Sequence, residues 1–279
     1  MITKYASHPL DAKTFDTKRL RDEFLIEALF KPNDIQVVYS HIDRIVALGV
    51  CPTIKPLALN DFIDNKTFGT EHFLERRELG IINLGGLAIV ESDHQQFKLQ
   101  HLDAAYFAKG ESNIKFTSVD IENPPILYCL SAPAHRAFKS CKIGRDEALK
   151  ISLGSLDNAN QRVINQYLHP DVLDTCQLCM GVTHLQPGSV WNTMPAHTHE
   201  RRMEAYLYFN IQPSQVVFHL MGEPNETRHI VVNDKQLVLS PSWSIHSGCG
   251  TQNYSFVWGM VGENQTFDDM DFIPMESIC

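Results

Sequence analysis

The segment PAHTHERRMEAYLYF, residues 195–209, carries the residue types and spacing best suited to chemistry. His197 and His199 stand two apart, so on an extended backbone both rings leave the same face. Their Cβ atoms would then lie about 6–7 Å apart, a separation that suits two ligands of one ion. Glu204 comes five residues after His199, on the wrong face for straight alternation. The spacing therefore predicts a turn or bulge within HERRM that returns the carboxylate to the same centre. His246, in LSPSWSIHSG, follows an apolar strand and a proline corner and is the fourth candidate. Three imidazoles and one carboxylate suit zinc, iron, manganese or nickel. The competing reading makes HTH a solvated surface turn beside Glu200, Arg201 and Arg202. The chain has 13 histidines; among the others, His184 and His229 read as structural or supporting groups. His219, between Phe218 and Leu220, could point inward or outward.

Those four residues need strands to hold them, and the sequence supplies strands. Apolar residues make up 43% of the 279, enough to bury a substantial core. Residues 14–30 have helical spacing and predict a short N-terminal helix. Next come a strand in IQVVYSHIDRIVALGV and a small add-on near 54–62. From about residue 74 the texture becomes short apolar runs broken by Gly, Asp and Asn. Strands are predicted at 81–84, 87–90, 97–99, 105–107, 114–116 and 126–135. Residues 136–175 read as a linker with a crossing strand or short helix. A second β-rich block runs from 176 to 263, with Gln-Pro-Ser as a turn after EAYLYFNI. A weak repeat relates the strand patterns of the two blocks. The expected fold is all-β, with two tandem β-barrel or sandwich domains, 1–150 without metal ligands and 151–279 with them and a tail.

Composition narrows the partners. Lys and Arg number 24 against 33 Asp and Glu, a net charge of -9, which argues against nucleic acid. It argues less strongly against an anionic membrane surface. No apolar run approaches 18 residues and the start has no secretory core segment, so no membrane span and no export are expected. Seven cysteines, an odd number, read as free thiols of a cytoplasmic protein. Cys176 and Cys179 form a lone CxxC, read as structural thiols beside a strand that runs towards the active centre.

HTHERRME resembles the first motif of the cupin superfamily, in which HxH precedes a glutamate. PSWSIH, residues 241–246, resembles the second, with Trp243 where that motif has glycine. The glycine that follows the glutamate after six intervening residues is Ile211 here. Over its whole length the chain resembles the bacterial 4-deoxy-L-threo-5-hexosulose-uronate ketol-isomerases of pectin breakdown. NLGG at 83–86, PAHTHERRMEAYLYF, SPSWSIHSG and FVWGMVGENQTFDDMD carry the resemblance. It implies two cupin-like domains, one zinc ion per chain on His197, His199, Glu204 and His246, and a homohexamer.

The implied reaction moves a carbonyl from C1 to C2 of a small anionic sugar, and needs a base, an acid and charge stabilisation. The base stays open between Glu204, as both ligand and base, and Glu223 in its Gly-Pro loop. Arg162, Arg201 and Arg202 are candidates for the substrate carboxylate. Backbone alternation lets at most one of the last two face a pocket. Tyr206, Tyr254 and Gln186 could donate hydrogen bonds. Asp269 and Asp271 of the acidic tail are expected at a pocket rim or subunit contact. Rival readings are an iron-dependent cupin oxygenase, a phosphosugar isomerase and a non-catalytic sugar-binding cupin.

Overall fold

Alternating apolar runs of this length pair into sheets, and the computed structural model, which describes residues 1–263, 265, 266 and 268–279, has far more strand than helix. Asn264 and Phe267, in the tail stretch quoted above, lie outside the described residues. The chain forms two compact units. One comprises Met1–Lys4, Leu29–Leu149 and Tyr167–Cys179, the other Tyr5–Ala28, Lys150–Gln166 and Met180–Cys279. A single cut near residue 150 does not describe this division. Leu25 and Ile26 pair with Val238 and Leu237, which draws the N-terminal helical segment into the second unit. In the first unit, the buried Glu78 carboxylate accepts the backbone N–H groups of Cys176, Gln177 and Leu178 at 2.7–2.8 Å.

Each unit pairs a seven-stranded sheet with a four-stranded one. In the first, the large sheet runs in the order Ile2–Lys4, Ile35–Ser40, Val46–Val50, Leu127–Pro133, Arg77–Asn83, Ala104–Phe107, Cys141–Ile143. The small sheet runs Leu57–Ala58, Lys115–Ser118, Ala88–Glu91, Gln96–Leu99. The second large sheet runs Leu149–Leu153, Arg162–Leu168, Cys179–Leu185, Ser255–Gly262, Arg202–Phe209, Leu237–Ser240, Leu25–Ile26. Its small companion runs Trp191–Asn192, Ser247–Gly250, Val217–Glu223, Glu226–Val232. A two-stranded ribbon joins His197–Thr198 to Asp271–Phe272. This is an all-β fold of two cupin-like barrels. No helix among the described residues is long and apolar enough to cross a membrane.

Several local expectations change. The N-terminal helix is Thr17–Phe24, preceded by a single turn at Pro9–Ala12. Asp16 starts it by accepting the Arg19 N–H at 2.8 Å. It stops at Phe24 because Leu25 turns extended to join the sheet edge. IQVVYSHIDRIVALGV is not one strand but two, antiparallel, reversed through Asp43 and Arg44 at positive φ. The 54–62 add-on is a two-residue strand, Leu57–Ala58, paired with Lys115 and Phe116. The 136–175 segment is no linker: it supplies Cys141–Ile143, Leu149–Leu153 and Arg162–Leu168. The expected turn at Gln212, Pro213 and Ser214 is present. It carries the chain from the large sheet to the small one.

The first barrel is filled. Leu79 and Ile81 from its central strand pack with Leu48, Val50, Val90, Phe107, Phe116, Leu127 and Cys129 in one apolar cluster. None of the seven cysteines is in a disulfide.

Candidate metal centre

In the second barrel the same central strand, Arg202–Phe209, sends different side chains inward. His197 comes from the ribbon strand, held in register by the His197–Phe272 pairing. His199 follows, and a turn at Glu200 and Arg201 closes with Arg202 N–H to His199 O at 3.4 Å. That turn lets Glu204 on the strand face the two histidines. His246 arrives from the loop after Pro241, where Ser244 N–H bonds Pro241 O at 3.0 Å and Ile245 N–H bonds Gly222 O at 3.0 Å. One ligand atom from each of the four lies within 4.8 Å of all the others, and all four residues are buried. This group could hold a metal ion.

The distances test that fit. His197 Nε2 is 3.0 Å from His199 Nε2 and 2.9 Å from His246 Nε2. Glu204 Oε1 is 2.9 Å from His199 Nε2 and 3.6 Å from His246 Nε2. Three ring nitrogens and a carboxylate oxygen thus converge on one point, as they would around a shared cation. The protonation states agree. Burial, reinforced by His246, pushes the His197 imidazole down to about 2. Burial also lowers His246, with Glu204 opposing. Burial alone would raise Glu204, but the surrounding histidines hold its carboxyl below the usual carboxylate range. Neutral imidazoles beside an ionised carboxylate are the forms that ligate metal.

Three of the four, His197, His199 and Glu204, but not His246, line a cavity of about 240 Å³. Its other walls are mostly apolar: Ile164, Phe256, Trp258, Met260, and Met270 and Phe272 from the tail. Trp258 can lie there because residue 181 is glycine: a Cβ at that position would come 2.1 Å from the indole. Arg162 also lines the cavity; its Nη1 donates to Asn160 O at 2.9 Å, and burial lowers its pKa. Tyr206 is a fully buried wall residue hydrogen-bonded to Glu204 and to Thr193. Burial, then the Glu204 charge, raises its phenol well above the ordinary value, so it remains protonated.

The remaining candidates are placed elsewhere or otherwise engaged. Glu223 ends a strand of the small sheet and lines a separate small depression with Pro9 and Trp243, away from the metal-centre cavity. Its loop folds against the N-terminal helical turn instead of inward. Arg202 touches the cavity, but its guanidinium is committed to Asp269 Oδ1 at 2.8 Å and Thr266 O at 2.7 Å. Arg201 is exposed. The Tyr254 hydroxyl donates to Asn192 Oδ1 behind the wall. The backbone N–H of Gln186 bonds Gln161 O, and His184 Nδ1 meets Ser255 Oγ at 2.8 Å. His229 is exposed against Phe218. His219 is fully buried, bonded through Nδ1 to the Tyr208 hydroxyl at 2.7 Å, with its pKa pushed down to about 3 by burial. Asp271 is exposed on the ribbon, whereas Asp269 turns inward. Sequence reasoning missed the wall at Phe256, Trp258 and Met260. Their alternation in YSFVWGMVG was the available signal, obscured because both faces of that strand are apolar.

Fold and site together define a two-barrel cupin-like protein with a histidine-rich centre in one barrel. A family model described as the KduI/IolB family matches residues 28–275, and the chain belongs to that family. It is 50% identical over 278 residues to the 4-deoxy-L-threo-5-hexosulose-uronate ketol-isomerase of Escherichia coli O8 (strain IAI1), covering 100% of both chains. An IolB-like protein from Salmonella typhimurium LT2 shares the fold, with TM-score 0.70 and 15% identity over 90% of this chain and 96% of that one. Hazelnut vicilin shares it more distantly, with TM-score 0.59 and 10% identity over 85% and 86%.

Proposed function

We propose that this chain is a metal-dependent ketol-isomerase. It converts 4-deoxy-L-threo-5-hexosulose uronate to 3-deoxy-D-glycero-2,5-hexodiulosonate in the breakdown of pectin-derived uronates. The observation that carries the reading is the convergence of three histidines and a glutamate, of which His197, His199 and Glu204 open onto a cavity that Arg162 also lines. Full-length identity to curated ketol-isomerases supports the substrate. His197, His199, Glu204 and His246 hold the ion, taken as one zinc per chain, for which the N₃O donor set is suited. When bound, it supplies Lewis-acid polarisation of the carbonyl.

The chain's own groups do the rest. Arg162 binds the substrate carboxylate and so points the C1–C2 end at the histidines. Its second role is charge balance, since the donor set carries the Glu204 carboxylate. Tyr206, kept protonated, donates to the oxygen on which charge grows. The Glu204–Tyr206 pair carries the proton that leaves C2 and returns to C1. The apolar wall excludes water from the intermediate. A homohexamer and a cytoplasmic location complete the reading; the family resemblance supports the first, and seven cysteines without a disulfide fit a reducing compartment.

The test is conversion of 4-deoxy-L-threo-5-hexosulose uronate under strictly oxygen-free conditions, followed by carbon NMR. Movement of the carbonyl from C1 to C2 without oxygen supports the isomerase. Turnover that requires oxygen would replace it with an oxygenase, and binding without turnover with a sugar-binding cupin.

A further inference from the structure

A histidine that binds an ion through Nε2 keeps its proton on Nδ1, and that proton needs an acceptor. At His199 the nearest group to Nδ1 is Arg202 Nη2, at 3.2 Å. A guanidinium offers only protons, so it cannot serve. Among the described residues, the acceptor it meets is the Asp269 carbonyl oxygen at 3.4 Å, while Asp269 Oδ1 faces the ring as a charge at 3.7 Å, beyond hydrogen-bond length. Oδ1 is buried and has no hydrogen bond of acceptable geometry, although Arg202 Nη2 lies 2.8 Å away. Arg202 itself is only 2% exposed, and its Nε is likewise buried without a partner. A buried cation thus stands directly behind a residue meant to hold another cation, and the facing countercharge is Asp269.

We propose that Asp269, from the C-terminal tail, is a positioning residue of the metal centre. It holds the His199 ring with its proton on Nδ1 and Nε2 facing the ion, and it cancels the charge of Arg202 behind that ring. The tail is therefore part of the site, not an appendage laid over it. This inference rests on the metal reading of the four-residue group. It goes beyond that reading by assigning the affinity of the site to a residue outside the donor set.

The test is zinc affinity of the full-length protein, by competition with a chromophoric chelator, for the unchanged chain, Asp269→Asn and Asp269→Glu. A cobalt(II) absorption spectrum of each gives the ligand geometry. Removing an outer partner of a ligating histidine is expected to weaken zinc about 10–100-fold in Asp269→Asn, with altered cobalt bands. Asp269→Glu is expected to retain most of the affinity. The double variant Asp269→Asn/Arg202→Gln is expected to recover part of the loss, which a general packing defect would not allow. Equal zinc affinity and an unchanged spectrum in Asp269→Asn would overturn the proposal while leaving the metal centre standing. Loss without recovery in the double variant would overturn the charge-balancing role. Failure of the unchanged chain to bind zinc or cobalt would overturn the metal reading and this inference with it.

Discussion

The two barrels share a strand order and differ in what their central strands send inward. In the first, Arg77, Leu79, Ile81 and Asn83 occupy alternate positions; in the second, Arg202, Glu204, Tyr206 and Tyr208 do. Leu79 and Ile81 join an apolar cluster with residues of both sheets. Glu204 and Tyr206 border a cavity instead. Both arginines are buried, yet they are satisfied differently. Arg77 donates to Ser131 Oγ, Ser131 O and Arg44 O and lies over Phe68 and Phe73, with burial lowering its pKa to about 10. Arg202 is answered by a tail carboxylate beside a candidate ligand. One barrel spends its interior on packing, the other on buried polar groups that must satisfy one another, and the latter arrangement is costly unless every member is paired.

The sharpest way to break this contrast is to write the first barrel's residue into the second. Glu204→Leu copies Leu79, and is expected to abolish zinc retention and lower turnover by about 1,000-fold or more, the scale of losing transition-state charge stabilisation. The metal-free variant should melt no lower than the metal-free parent, because a buried carboxylate has been replaced by packing. Retained turnover would detach Glu204 from the chemistry. Next in size, Arg162→Ala is expected to raise KM about 100-fold with a smaller change in kcat, since truncating one partner of a buried charge pair costs about 2–5 kcal/mol. Steady-state kinetics decide it; a pure kcat effect would move Arg162 from binding to catalysis. Gly181→Ala, which pushes into Trp258, is expected to cost about 10-fold in kcat/KM through a shifted wall, by analogy with a small misplacement of a bound substrate. Tryptophan fluorescence should shift in parallel.

The reciprocal change in the filled barrel sharpens the contrast from the other side. Leu79→Ala is expected to lower stability by about 2–5 kcal/mol through the cavity it leaves. Its kcat/KM should stay within about 2-fold of the parent. Denaturant melts and kinetics on the same sample separate the two outcomes. The smallest effect is with pH. His197 and His219 are held neutral, at about 2 and about 3 against an ordinary 6.5, so the unfolded chain takes up protons first as pH falls. The stability of the metal-free protein is therefore complete above pH 6.5 and declines below it, by up to about 1.4 kcal/mol per pH unit for each histidine. His219→Phe should flatten that slope in thermal melts from pH 7 to 5; an unchanged slope would deny His219 its part.

Much of this was legible in the chain. HTHERRME shows two same-face histidines and a carboxylate displaced by a turn, and the structure brings these together with His246 through a turn at Glu200 and Arg201. The β-rich blocks and most strands of the first barrel followed from alternation. Less legible were features decided by distant partners. Helix spacing at 14–30 could not reveal that Leu25 and Ile26 have a sheet edge at Leu237 and Val238 to join. Glu223 and Arg202 are attractive by charge and proximity to a motif, but the structure places Glu223 beside Pro9 and Trp243 and pairs Arg202 with a tail residue 67 positions onward (269 less 202). Asp269 was readable as acidic and near a rim. Its pairing depends on a tail fold that no local periodicity encodes.

Metal content measured together with turnover, on the unchanged chain and on His199→Ala, tests the central claim most directly. Both proteins would be purified without chelator, assayed by mass spectrometry for metals and supplied with 4-deoxy-L-threo-5-hexosulose uronate. The expected result is about one zinc per chain with turnover in the parent, and loss of both in the variant. A parent that isomerises the substrate without bound metal, or a His199→Ala variant that keeps both metal and turnover, would contradict it.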